Sequence, residues 1–529
     1  MKNQIKPTYY NKKLILILAG ISILRLLYIA YTPFDLSPDE AHYWEWSRHL
    51  SLSYYSKGPG VAYIIAFFTT LLGSTEFGVR AGAVAFAAGG SYFIYLIGCE
   101  LTGEEKTGFY AALLSAITPL LSVGSALMTT DVPFVFFWAG TVFFIMRAIK
   151  TKKMTNWYIA GLLAGLGFLS KYTMVLIYPT LLLFILSGKE QRGLLLSPGP
   201  YVAGIITTVV SLPVFIWNFA NKGVTFRHTL GQAHVGSGGF SIKEPLDFIA
   251  SQAGLFTPLI FAGFVYGIYR CGRKGFGEHS TPHLFCFLAS AFVFFFFLFA
   301  GFHGKVQANW AIAAYVTALP AAVWVFQEAY ARSRPRGSRV KKTLAIIAGL
   351  AVLMGTAGTV IAYCPWLLEP MGAKSILWGP PFNRVTSWQE LGDKVSLVKK
   401  EMEAKKHADQ SAGNKKIFIM SNTYQITSEL AFYTEGQPAT YNINTGSRRM
   451  NQYDLWPGFS TLKGQSAIYV KGGNAGLVPY TREAFKGCKK ERFPIYYKGR
   501  LLKEFSIFRC YGFKGFSTEA GQETLEQKY

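Results

Sequence analysis

The chain has 529 residues, 51% hydrophobic and 16% charged, with a formal net charge of +24 and a mean hydropathy of +0.24. A soluble domain carries roughly a quarter charged residues, so a purely soluble protein is excluded and many membrane-length apolar runs are required. The positive charge does not form one nucleic-acid patch: Lys12-Lys13, 147–153, 270–274 and 332–342 are short basic groups between apolar runs, the pattern of loops kept in the cytoplasm.

In chain order the apolar runs are 14–32, 79–101, 108–128, 133–149, 157–170, 172–187, 200–218, 250–269, 283–302, 309–327 and 342–363. Each approaches the roughly 20 residues that cross a bilayer. The run 60–73 is shorter. If Lys12-Lys13 and 147–153 are both cytoplasmic, an even number of crossings separates them, which places 60–73 along the outer face rather than through the membrane. The same parity leaves 33–78, 129–132, 219–249, 303–308 and everything after 363 outside, and puts Ser170-Lys171-Tyr172 at an outer turn. Run 14–32 lacks a small-residue cleavage site and reads as a retained anchor.

After residue 364 charged residues become about twice as dense. A charged helix over 388–406, a buried strand over 416–420, a helix over 424–432 and strands over 439–443, 467–471 and 505–511 predict a small α/β domain. The expected architecture is an all-α polytopic membrane domain, 1–364, with about eleven transmembrane helices plus interfacial helices and a first outer loop over 33–78, followed by an α/β soluble domain over 365–529. Of six cysteines, Cys488 and Cys510 are expected to pair if strands bring them together in an oxidising compartment.

The outer loops hold polar residues that connecting turns do not need. In the first, Ser37-Pro38-Asp39-Glu40 starts a helix, and a carboxylate just beyond a span can orient a substrate hydroxyl or accept its proton. A helix cap explains the same residues. His42, Tyr54 and Tyr55 follow in this loop as candidate substrate contacts, and Lys57 is placed to meet a lipid phosphate at headgroup depth or to anchor the segment. Asp131 opens a strongly apolar helix; a second cavity carboxylate and a helix cap account for it equally well.

The turn from His303 to Trp310 offers His303 and Lys305 to a phosphate and Gln307, Asn309 and Trp310 to a sugar, while interfacial anchoring by Trp310 and Lys305 is the alternative. Arg227 and His234 lie in a further outer loop and extend the phosphate and substrate sets. In the tail, Ser447-Arg448-Arg449 and the segment Asn451 to Trp456 suit either an anionic acceptor or a solvated loop. No Walker loop, GxSxG or HExxH occurs, which argues against an ATP-driven pump, a hydrolase of that type or a zincin. No ligand spacing demands a metal, although a divalent ion on the outer face remains compatible with the residues.

The segments SPDEAHYWEWSRHLSLSYYSKGPGVAYII, STEFGVRAGAVAFAAG, TTDVPFVFFW, KVQANW, SNTYQITSELAFYTEG and NQYDLW resemble glycosyltransferase family 39, which includes bacterial aminoarabinose transferases and protein O-mannosyltransferases. The resemblance implies a GT-C membrane fold, a polyprenyl-phosphate sugar donor and transfer on the outer face of the bacterial inner membrane. The expected acceptor is lipid A or another envelope glycolipid, with inversion at the transferred sugar, and the alternative is a protein. The resemblance assigns catalysis to Asp39 with Glu40 beside it, the donor phosphate to Lys57 and a second cavity carboxylate to Asp131. Bacterial relatives often carry Lys-Pro-Pro where this chain has Lys57-Gly58-Pro59. A monomer with a cytoplasmic N-terminus is expected. A lipid-linked sugar flippase or transporter is the alternative of another class, disfavoured by the lack of a duplicated pair of broken spans.

Overall fold

A computed structural model describes residues 9–232, 239–333, 339–371, 380–408, 416–444 and 450–516. The chain divides into two compact units, Met1–Tyr31 with Lys57–Leu367, and Thr32–Ser56 with Leu368–Tyr529.

The first unit is helical. It holds α1 (Tyr9–Tyr31), then, after α2 (Pro38–Arg48) of the second unit, α3 (Gly60–Leu72), α4 (Glu76–Thr102), α5 (Glu105–Ile117), α6 (Pro119–Gly124), α7 (Asp131–Thr151) and α8 (Met154–Ser170). There follow α9 (Ile177–Leu186), α10 (Lys189–Arg192), α11 (Pro198–Ala220), α12 (Val224–Gln232), α13 (Lys243–Phe256), α14 (Pro258–Gly277), α15 (Thr281–Gly301), α16 (Ala314–Arg332) and α17 (Arg339–Tyr363).

Six helices, α1, α4, α7, α11, α15 and α17, are long and apolar enough to cross a membrane, and two bent pairs raise the number to eight among the described residues. This is a multi-pass membrane protein. The difference from eleven spans has local causes. The run 108–128 breaks at Pro119 into α5 and α6, because a proline cannot continue the hydrogen-bond ladder before it. The expected span 250–269 is not straight: α13 and α14 meet at 110°, with Thr257 at φ 68° and Pro258 starting the second helix. Helix α8 has 17 residues, and α3 has 13, about 20 Å at 1.5 Å per residue.

Helix packing in this unit relies on small residues as well as bulk. A Cβ added at Gly98 of α4 would lie 2.6 Å from Gly108 Cα of α5, so the two backbones touch there. One apolar cluster, including Phe134, Trp138, Phe184, Phe264 and Leu319, joins α4, α7, α8, α9 and α13 to α16. Glu100 receives both Arg147 (2.8 Å) and Lys150 (2.7 Å) of the 147–153 basic group.

The second unit is built on a five-stranded mixed sheet in the order β2-β1-β3-β5-β4. Its strands are β1 (Ile417–Ser421), β2 (Thr440–Asn442), β3 (Ser466–Gly472), β4 (Phe485–Tyr497) and β5 (Arg500–Phe513). β1 runs parallel to β2 and β3; β5 runs antiparallel to β3 and β4. The five residues of β1 are all buried, as expected for a strand covered on both faces. Helices Trp388–Ala408 and Tyr424–Tyr433 match the expected 388–406 and 424–432.

Strand β4 is absent from the sequence reading. Its lysines and Pro494 hide the alternation, and both are at home on an edge strand, where charge and proline discourage further pairing. Cys488 of β4 stands in register with Cys510 of β5, and the two form a disulfide.

Candidate active site

The first-loop segment 32–56 belongs to the second unit, and α2 carries its chemistry. Pro38 starts the helix and Ser37 caps it. Ser37 N–H and Oγ–H donate to Glu40 Oε2 at 2.9 and 3.1 Å, while Glu40 N–H donates back to Ser37 Oγ at 3.4 Å. This reciprocal capping box satisfies two donors at the helix start. Glu40 is fully buried in that task, so the structure corrects the expectation of a catalytic Glu40 to a helix-capping one.

Asp39, its neighbour, points elsewhere. Its side chain is 41% exposed, and both oxygens accept hydrogen bonds: Oδ1 from Tyr424 OH and Oδ2 from Arg384 Nη2, each at 3.0 Å. The donors lie 345 and 385 residues away in sequence and belong to the same unit.

The segment is fastened along its length. Leu36 N–H donates to Tyr433 OH (2.6 Å), Ser428 Oγ–H to Pro38 O (3.3 Å) and Tyr55 N–H to Gln452 Oε1 (2.7 Å). Trp44 meets Phe432 edge to face at 4.9 Å. His42 is buried, accepts a hydrogen bond on Nε2 from Trp46 Nε1 (3.2 Å) and packs against Tyr424 and Tyr453. Burial pushes its pKa down to about 3, so it is neutral at physiological pH. Tyr54 is fully buried; its ring stacks on Trp46 at 4.4 Å and its hydroxyl donates to Trp46 O at 3.0 Å. The substrate contacts expected of His42 and Tyr54 are therefore corrected to scaffold contacts. Burial also raises Glu45 to about 7, with Arg48 3.8 Å away opposing the shift.

In the first unit the focus is Asp131. The N-cap of α7 is Thr130, so the Asp131 carboxylate is free of capping duty. It takes Lys171 Nζ on Oδ1 and Asn309 Nδ2 on Oδ2, both at 2.5 Å. Asn309 comes from the turn before α16, and Lys171 ends α8. Asp131 and Asn309 line a cavity of about 400 Å³ whose other polar lining includes Arg25, Ser91, Ser115 and Thr129, set among apolar side chains such as Phe86, Val135 and Ile312.

Lys57 begins this unit, in the turn leading to α3. A Cβ at Gly58 would lie 2.2 Å from Leu169 O, and one at Gly60 2.8 Å from Ser170 Oγ. The turn is thus laid against the end of α8, two residues before Lys171. This close approach explains why glycine stands at 58: a proline ring there would meet backbone.

His303, Lys305 and Gln307 are exposed, Trp310 is half-buried and packs toward Phe297 at 6.1 Å, and none of the four lines the cavity. Arg227 is exposed on α12 and donates to Lys222 O near the start of its own helix. His234 and Ser447-Arg448-Arg449 lie outside the described residues. No group of three or more His, Cys, Asp or Glu arranged to hold a metal occurs among the described residues.

Comparison with known proteins bears on this arrangement. Residues 56–217 match the family model of dolichyl-phosphate-mannose-protein mannosyltransferases. A lipid A galacturonosyltransferase of Rhizobium johnstonii is 29% identical over 363 residues, 68% of this chain and 73% of the relative. The structure of ArnT from Cupriavidus metallidurans bound to undecaprenyl phosphate superposes with a TM-score of 0.61 over 93% of this chain and 97% of that one, at 13% identity. The chain has the GT-C fold of these membrane enzymes.

An undecaprenyl phosphate-α-4-amino-4-deoxy-L-arabinose arabinosyl transferase of Pectobacterium atrosepticum is also 29% identical to this chain. That match spans 34% of the chain and about a third, 35%, of the relative. The archaeal oligosaccharyltransferase AglB of Archaeoglobus fulgidus has the same fold at a TM-score of 0.55 and 15% identity, over 87% of this chain and 69% of that one.

Three residues of these sites had no assigned role in the sequence. Lys171 had a usable signal, a lysine between two apolar runs at a turn assigned to the face of Asp131. Arg25 had another, as the one arginine inside the first apolar run; it donates to Ala116 O and Ser122 Oγ at 3.4 Å where α5 gives way to α6. Arg384 had none, because its partner is set by tertiary structure alone.

Proposed function

We propose that this glycosyltransferase moves one monosaccharide from a polyprenyl-phosphate donor to lipid A, with inversion, on the outer face of the bacterial inner membrane. In that reading the N-terminus is cytoplasmic and the tail from about 365 is periplasmic. The observation that carries it is the alignment with a lipid A galacturonosyltransferase over about two-thirds of the chain. It is supported by a fold held in common with an undecaprenyl-phosphate-binding enzyme.

The acceptor oxygen attacks the anomeric carbon as the bond from that carbon to the donor phosphate breaks, and polyprenyl phosphate leaves with the bonding electrons. Asp39 orients the acceptor and takes the proton of a hydroxyl; an acceptor phosphate would have little proton to give up. Lys57 meets the leaving phosphate as a preorganised cation, and Arg227, His303 and Lys305 are its reserve candidates. Asp131, held by Lys171 and Asn309, forms the polar end of a largely apolar cavity. Tyr55, Gln307 and Trp310, none of which lines that cavity, are the remaining candidates for sugar contacts.

The test is mass spectrometry of lipid A from a deletion strain and from the strain complemented with the wild-type chain or Asp39→Asn. A sugar-sized increment should vanish on deletion, return with the wild type and stay absent with Asp39→Asn. The description of the matched family favours a protein acceptor as the second reading. Unchanged lipid A together with loss of a glycan from an envelope protein would select it.

A further inference from the structure

The observations that reach furthest concern what holds Asp39. Each oxygen of its carboxylate has one donor, Tyr424 OH on Oδ1 and Arg384 Nη2 on Oδ2, at equal 3.0 Å distances. A carboxylate offers about four lone-pair sites, so two donors fix its plane and leave capacity for an incoming hydroxyl.

The donors are themselves built in. Tyr424 opens the helix after β1, whose N-cap Thr423 accepts from Ile426 N–H. Its ring lies 4.9 Å from that of His42, one turn along α2 from Asp39. Arg384 O accepts from Trp388 Nε1 at 2.8 Å, and Trp388 N–H donates to Asp35 Oδ2 at 2.7 Å. Lys503 Nζ lies 3.7 Å from the centre of the Trp388 ring and donates to Thr386 O at 2.6 Å. Two carboxylates of one short segment, Asp35 and Asp39, therefore clasp the turn 384–388 from its two ends.

An exposed Arg–Asp pair alone contributes little. Here the pair is joined by a largely buried tyrosine, a capped helix and a cation over an indole, which specify one carboxylate orientation. A domain that merely covered the first loop would need none of this at Asp39.

We propose that Tyr424 and Arg384 are positioning residues for the transfer reaction: the tail unit supplies the two donors that hold the Asp39 carboxylate in its reactive orientation. The inference rests on the catalytic reading of Asp39 given above. It gives the C-terminal unit a direct part in turnover, beyond acceptor recognition or cover.

The test uses the full-length chain in nanodiscs with lipid A and, in separate arms, undecaprenyl-phosphate galacturonate and undecaprenyl-phosphate 4-amino-4-deoxy-arabinose. With the donor the wild type accepts, Tyr424→Phe and Arg384→Gln should each lower kcat about tenfold, and both together further, with donor KM and the unfolding temperature nearly unchanged. Arg384→Lys should recover part of the loss. Retained wild-type kcat in the Tyr424→Phe, Arg384→Gln double variant, alongside an inactive Asp39→Asn, would overturn the positioning role while leaving the site in place. Full activity in Asp39→Asn would overturn the catalytic reading itself. Losses in the Tyr424 and Arg384 variants that are confined to KM, or matched by a fall in unfolding temperature, would overturn the positioning role, since a purely structural or binding role produces those.

Discussion

Lys171 Nζ sits 2.5 Å from Asp131 Oδ1, joining the C-terminal end of α8 to the first residue of α7. Both side chains are largely buried, at 10% and 16% exposure. Removing one partner of such a pair strands the other charge, at a cost of about 3 kcal/mol. Lys171→Met should therefore destabilise the protein strongly, and Lys171→Met with Asp131→Asn should regain most of the stability but not transfer. Thermal unfolding in detergent, read beside the lipid A assay, checks both halves. A double variant no more stable than the single one would show that the two charges are not coupled.

Gly58 tests the close approach beside Lys57. A Cβ there meets Leu169 carbonyl oxygen at 2.2 Å, and backbone cannot rotate away as a side chain can. Gly58→Ala should cost roughly 1–3 kcal/mol, as overpacking does, and should reduce transfer by displacing Lys57. Gly73→Ala is a useful contrast. Its φ of 84° strains a side chain, but a Cβ there meets only Thr75 Cγ2 at an ordinary 3.9 Å, so it should lower stability with less effect on transfer.

Glu45 makes stability depend on pH. Burial raises its pKa to about 7 in the folded protein, against an ordinary 4.5. The folded state thus binds the proton more tightly than the unfolded state. The resulting stabilisation is complete below about pH 4.5 and is lost as pH rises through 7. Glu45→Gln should remove this dependence and stabilise the protein at pH 8, by up to roughly 3 kcal/mol. Measuring the variant against the wild type at each pH cancels the opposite contribution of His42, whose lowered pKa destabilises the fold in acid. Parallel curves from pH 4 to 8 would contradict the assignment.

Cys488 and Cys510 are 22 residues apart and bonded across β4 and β5. Natively exported protein should show four free thiols of its six cysteines. Replacing both bonded cysteines by serine should cost about 3 kcal/mol, since a loop of this length is closed. Six free thiols in exported protein would exclude the bond in the cell.

How much was legible varies with the range of the interaction that decides each feature. The strand 417–421 and the helix 424–433 were readable because a four-residue apolar run, Ile417 to Met420, and a helical period are local patterns. The bend at Thr257-Pro258 was missed because an apolar run masks a backbone break when periodicity alone is read. Asp39 and Asp131 stood out as scarce carboxylates beside apolar runs, while Glu40, His42 and Tyr54 looked equally functional. Glu40, His42 and Tyr54 are buried to 6% exposure or less, whereas Asp131 keeps 16% and Asp39 41% of its side chain exposed, and that difference is not a property of the local sequence.

By itself the sequence determined that the chain is a multi-pass membrane protein with a more polar tail. It also supplied the segments that resemble the GT-C glycosyltransferases and the two carboxylates worth testing. Those follow from composition and local spacing, which act within a few residues along the chain. Only the tertiary structure decided that Asp39 is held by Tyr424 and Arg384, that Asp131 is held by Lys171 and Asn309, and that Glu40 closes a helix instead of facing substrate. A hydrogen bond forms where folding leaves donor and acceptor within about 3 Å, and for Asp39 that meeting spans 345 and 385 residues of chain.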